Sequence, residues 1–182
     1  MSEQGQAILL AVGGGIAAYK SATLCSRLVQ AGGDVQVVMT KAAEKFIGPA
    51  TFAALSGKPV SNSCFDPHHP LGSHIELAKC DLLIVAPTTA NLLAKFASGI
   101  ADDLLTTVYL QIECPVLLAP AMSSAMWDKP SVQRNVEQLV RDGCHMVGPE
   151  SGWLSCRQKG NGRMSEPESI LSAAQELISM GR

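Results

Sequence analysis

Ala7-Ile8-Leu9-Leu10-Ala11-Val12-Gly13-Gly14-Gly15-Ile16 carries the reading of the whole chain. Six apolar residues without polar alternation suit a strand buried on both faces. Three glycines end it, and from Ile16 the pattern becomes helical over 16–31, where Ala, Leu and Val recur until Gly32-Gly33. The unit then recurs along the chain. Apolar runs at 35–39, 82–86 and 116–119 predict further buried strands, with a brief extended piece at 146–147. Helices are expected from about Lys41, over 49–57, 91–98, 102–110, 131–141 and 167–180, with Pro87 stopping the third strand. Strands that are nearly all apolar, alternating with helices, predict a three-layer α/β/α sandwich around a doubly wound parallel sheet, flavodoxin-like or Rossmann-like. No internal repeat or linker interrupts 182 residues, so a single domain over 1–182 is expected.

Composition excludes several functions. Hydrophobic residues make up 47% but aromatics only 4%, so aliphatic side chains must fill the interior. A net charge of −2 without a basic stripe argues against nucleic-acid binding. The start, residues 1–6, lacks the charged-then-apolar pattern of a signal peptide, and no apolar run approaches the ~20 residues of a membrane span. A cytoplasmic protein is expected. Six cysteines without a CxxC pair suggest neither a metal site nor a disulfide framework. Cys25, Cys80 and Cys114 read as small core residues. Cys156 sits instead among Ser, Arg, Gln, Lys and Gly.

In open α/β sheets ligands bind at the carboxyl ends of strands. Gly13-Gly14-Gly15-Ile16 could offer backbone amides to a phosphate, or be only a tight turn. It is not GxGxxG, and Thr40, not an acid, ends the second strand, which favours a mononucleotide over a dinucleotide. Thr88-Thr89-Ala90-Asn91 ends the third strand and could cap a helix, bind a ligand, or both. Pro120-Ala121-Met122-Ser123-Ser124-Ala125-Met126-Trp127 should leave the fourth as a ligand loop. His74, framed by Ile75 and Leu77, could act as acid or base, whereas His68 and His69 read as solvated. Residues 152–164 are rich in Gly and polar groups yet carry Trp153, Leu154 and Met164. That mixture predicts a mobile flap with Cys156 at its tip.

These segments, with Gly99-Ile100-Ala101-Asp102-Asp103-Leu104 and Gly160-Asn161-Gly162-Arg163-Met164, together resemble the homo-oligomeric flavin-containing cysteine decarboxylases. The similarity runs from about Ile8 to Met164, and its pattern is nearest the phosphopantothenoylcysteine decarboxylase branch of coenzyme A biosynthesis. The resemblance implies FMN, with its phosphate at Gly14, Gly15, Ile16, Thr40, Thr89, Ala90, Asn91 and Leu92 and its ring near Ala121 and Met122. It implies His74 as base or proton relay, Cys156 as the thiol of the final reduction, and Arg163, Met122 and Ser123 at the substrate. The substrate's cysteine would be oxidised, lose carbon dioxide and be reduced again. It also implies a homotrimer, or a dodecamer of trimers, with FMN between subunits.

One position departs from the family loop, which carries Asn where this chain has Ser123. Asn offers two amide donors and an acceptor, while Ser offers one donor on a shorter arm. Ser123 could bind the substrate carboxylate through water or with help from Ser124, the carboxylate could be held elsewhere, or activity could be impaired. Alternative readings are a peptidyl-cysteine decarboxylase and a non-catalytic FMN-binding regulatory subunit. A flavin prenyltransferase or a flavodoxin-like electron carrier would have no use for His74 and Cys156. Many bacterial members carry a carboxy-terminal ligase, for which no segment is expected after the helix ending near Met180.

Overall fold

The computed structural model describes residues 5–66 and 71–180. Five strands, Ala7–Val12 (β1), Asp34–Met39 (β2), Leu82–Thr88 (β3), Val116–Pro120 (β4) and His145–Met146 (β5), pair in parallel in the order β2-β1-β3-β4-β5. This is the flavodoxin-like winding, whose chain reversal opens a crevice between the ends of β1 and β3. The connecting helices are Ala18–Gln30 (α1), Pro49–Ser56 (α2), Ser73–Leu77 (α3), Ala90–Ser98 (α4), Leu104–Gln111 (α5), Ser124–Trp127 (α6), Pro130–Arg141 (α7) and Pro167–Met180 (α8). Among the described residues, no helix is long and apolar enough to cross a membrane.

The unbroken apolar strands serve two cores. Ile8, Leu10, Val12, Val37 and Ile84 face Leu24 and Leu28 of α1, Phe52 of α2 and Ile170 of α8. Leu9, Ala11, Leu83, Val85 and Leu118 face Leu93 and Phe96 of α4, Leu105 and Val108 of α5, and Leu139 of α7. Alternate residues of one strand therefore belong to opposite layers.

Three expectations needed correction. Pro87 does not stop the third strand: β3 continues to Thr88 through a register shift against β4. Side chains take over the hydrogen bonds displaced there. Ser21 donates to the Ala86 carbonyl at 2.6 Å, and Thr88 Oγ1 accepts from the Ala119 amide at 3.1 Å. No full helix starts at Lys41, where only a 3₁₀ turn forms at Ala43–Lys45. Pro49 forces Gly48 into extended conformation, so the helix restarts at Pro49. The 152–164 segment is a built antiparallel hairpin, Glu150–Trp153 (β6) and Lys159–Arg163 (β7), not an irregular flap. His68 and His69 lie outside the described residues.

Candidate functional site

A cavity of about 850 Å³ opens at the carboxyl ends of the strands, where α1, the 3₁₀ turn and α4 all begin. Gly13 and Gly14 allow this convergence. A Cβ on Gly13 would collide with the Pro87 carbonyl, and one on Gly14 with Ala42. The backbone amides of Ile16, Ala17, Lys41, Ala42, Ala90 and Asn91 donate to no protein acceptor among the described residues, and all six residues line the cavity. Ala17 and Ala90 are half-buried and the other four residues are exposed at the cavity rim, so the amides stand open to a ligand, and a cluster of them at helix starts suits a phosphate. Thr40 Oγ1 accepts from the Ala43 amide at 3.2 Å and holds the turn in place. Thr89 Oγ1 caps α4 through the Leu92 amide at 3.3 Å while also lining the cavity. Its neighbour Thr88 is fully buried in the sheet and takes no part.

The opposite wall joins the loop after β4 to the hairpin. The Met122 amide donates to the Gly162 carbonyl at 2.9 Å. Side chains at Gly160 and Gly162 would strike Ser124 Oγ and the Met122 carbonyl respectively, so both glycines are needed for docking. Ser123 lines the cavity at the start of α6, and its side chain makes no capping bond. Ser124 turns away: its Oγ is buried against Gly160, without a partner among the described residues. It cannot assist Ser123. Trp153, Leu154 and Ser155 complete this wall.

Charged groups ring the mouth. Lys95 Nζ lies 2.6 Å from Asp102 Oδ1 and 3.6 Å from Asp103 Oδ2. The hydrogen bond to Asp102 raises the Lys95 amine above its ordinary value and lowers the Asp102 carboxyl. Asp103 also caps α5 in a capping box with Thr106. Lys20, only 5% exposed, donates to Glu166 at 3.0 Å and to the Met164 carbonyl at 2.9 Å. Sequence reading assigned no role to Lys20, Lys95, Asp102 or Glu166. Lys20 and Lys95 showed only as charged residues inside otherwise apolar helices, and Asp102 and Glu166 only as acids just ahead of helices, neither of which reveals a partner distant in sequence.

The cavity gathers Gly14, Gly15, Ile16, Thr40, Thr89, Ala90, Asn91, Leu92, Ala121, Met122, Ser123 and Arg163. It does not gather His74 or Cys156. His74 lies in α3, which packs on α5, with its imidazole against Gly72. Cys156 is exposed at the hairpin tip, beside cavity-lining Ser155. There the amide of Arg157 donates to the Leu154 carbonyl at 2.9 Å, and Arg157 adopts φ 63°. That is the three-residue turn with a left-handed last residue, common in hairpins.

The flavoprotein family profile matches residues 1–179. The coenzyme A biosynthesis bifunctional protein CoaBC of Bacillus subtilis is 48% identical over 171 residues, 93% of this chain and 42% of the relative. The chain thus spans less than half the length of that curated relative. Among solved structures, the FMN-dependent cysteine decarboxylase SpaF is 34% identical with a TM-score of 0.85, covering 97% of each chain. A cysteine-to-serine mutant of PPC decarboxylase, complexed with pantothenoylaminoethenethiol, is 30% identical with a TM-score of 0.87 over 94% of this chain and 97% of its own.

Proposed function

The chain belongs to the flavoprotein family, among its cysteine decarboxylases, and from that premise we propose that it uses FMN to decarboxylate phosphopantothenoylcysteine to phosphopantetheine in coenzyme A biosynthesis. The observation that carries the reading is the set of unpartnered amides from three elements facing a wall built of Ala121, Met122, Ser123 and the hairpin. The amides of Ile16, Ala17, Ala42, Ala90 and Asn91, with Gly14, Gly15, Thr40, Thr89 and Leu92 around them, would hold the FMN phosphate. Ala121 and Met122 would flank its ring. When bound, FMN supplies a reversible two-electron acceptor, so the cysteine moiety can be oxidised, lose carbon dioxide and be reduced again without net redox change.

The chain's own groups then divide the remaining work. Ser123, with Met122 and Arg163 beside it, would orient the substrate carboxylate. Cys156, at the exposed tip of a hairpin whose neighbouring residues reach the cavity, would deliver the proton of the final reduction. His74 would move a proton during the oxidation. Its distance from the cavity of its own chain supports action on a cofactor held by a neighbouring copy, in a homotrimer or a dodecamer of trimers. The whole chain would act as one flavin-binding unit in the cytoplasm.

Purified protein is expected to carry FMN and to release carbon dioxide from phosphopantothenoylcysteine. Bound FMN with no product after long incubation would remove the activity and leave a flavin-binding subunit. Ser123, in place of the family Asn, keeps a second substrate in view: the carboxy-terminal cysteine of a peptide. Faster turnover of a short peptide ending in Cys than of the pantetheine precursor would select it.

A further inference from the structure

Glu166 follows β7 by three residues and leads into α8. Its Oε1 accepts from Lys20 Nζ at 3.0 Å and also from Arg163 Nη2. The Lys20 ammonium donates as well to the Met164 carbonyl at 2.9 Å, and an amine so enclosed requires such partners. Lys20 and Arg163 both line the cavity; Glu166 does not. One carboxylate behind the wall therefore grips two cations that form part of it. The two come from different elements, α1 and the root of the hairpin. Gly162, next to Arg163, lies against the backbone of Ser123, so the gripped guanidinium belongs to the same wall as the loop after β4.

We propose that Glu166 is a positioning residue, which fixes Arg163 in the cavity wall and ties the root of the β6–β7 hairpin to Lys20 of α1, ready for an anionic group of the substrate. Two cations against one carboxylate leave a surplus positive charge toward the cavity. Holding the long Arg163 side chain beforehand also removes an ordering cost from the binding step. The substrate half of this inference rests on the decarboxylase reading; the anchoring of the hairpin does not.

Glu166→Gln keeps the shape and removes the charge. Trypsin under native conditions reads hairpin release directly, through cleavage after Arg157 and Lys159. Cleavage is expected to be about fivefold faster in E166Q with and without FMN, beyond what any accompanying fall in the unfolding midpoint accounts for. KM for phosphopantothenoylcysteine is expected to rise about tenfold, with kcat within about twofold of the parent. Glu166→Asp, which keeps the charge, should restore most of both properties. Should E166Q unfold, Arg163→Gln, which frees the hairpin root while leaving Glu166 to Lys20, takes its place in the cleavage assay. Unchanged cleavage in the variant used overturns the anchoring. An unchanged KM overturns the positioning. A lowered KM does too, since it would mean that Glu166 merely offsets positive charge. Should the parent protein itself leave the substrate untouched, the decarboxylase reading fails, and the cleavage rates alone decide the anchoring.

Discussion

The amide of Met122 donates to the carbonyl of Gly162 across 2.9 Å, which makes the loop after β4 and the second strand of the hairpin a single wall. Gly162 holds φ 131° there, and any Cβ would enter the Met122 carbonyl. Gly162→Ala should therefore destabilise the protein by ~1–3 kcal/mol, the usual cost of such backbone strain. Denaturant unfolding measures this. Turnover should fall further than stability, because the wall itself is displaced.

Ser123→Asn restores a longer arm with two donors at the place proposed for the substrate carboxylate. A charge-assisted hydrogen bond is worth ~1.5–3 kcal/mol, so kcat/KM should rise about tenfold or more. Steady-state decarboxylation checks it. An unchanged value would move carboxylate recognition away from position 123.

Thr88 and Thr89 are adjacent but serve different ends. Thr88→Val removes the acceptor for the buried Ala119 amide and the donor to the Val85 carbonyl at 2.7 Å. It should cost ~1–3 kcal/mol of stability and leave FMN affinity unchanged. Thr89→Ala loses a helix cap, ~0.5–2 kcal/mol, and should also weaken FMN binding. Thermal melts together with a flavin fluorescence titration separate the two.

Much of this division could be read in advance. The strands were legible because β1, β3 and β4 are almost wholly apolar, and the cavity-lining residues because they cluster at strand ends, where α/β sheets bind ligands. The hairpin was not. Lys159-Gly160-Asn161-Gly162-Arg163 has the composition of a loop, and its strand pairing depends on glycines fitting against Ser124 and Met122, residues nearly forty positions away. Pro87 misled for a related reason. Its missing amide normally ends a strand, but Ser21 and Thr88 absorb the local loss. The grip of Glu166 on Lys20 likewise joins positions 146 residues apart.

The Lys95–Asp102 pair should shape the pH dependence of stability. Asp102 is lowered by its hydrogen bond from Lys95, so its contribution is present above the ordinary carboxylate value and is lost as pH falls through the depressed one. Lys95 is raised by the same bond, so its contribution is complete below its ordinary value of 10.5 and is lost as pH rises through the elevated one. Lys95→Met should lower the unfolding midpoint across the neutral range. The difference from the parent should shrink at both extremes in a series of melts.

Cys80 and Cys114 place their sulfurs 3.5 Å apart at the starts of β3 and β4. Their hydrogen bond raises the Cys80 thiol, burial adding to it, and lowers that of Cys114. Burial pushes Cys25 up to about 11. Iodoacetamide on the native protein should modify Cys114 before Cys80 and leave Cys25 intact, as read by peptide mass mapping.

The turn leading into α1 and the first turn of α4 present their amides to one cavity although the two helices lie on opposite faces of the sheet. A ligand seated there would rivet the two layers to each other. Ligand at about a hundred times its dissociation constant adds ~2.7 kcal/mol to a fold that binds it only when intact. Chains made while flavin is scarce would open more often and be cleared by proteases sooner. Abundance of the protein would then follow the supply of its own cofactor, with no regulator needed to sense it.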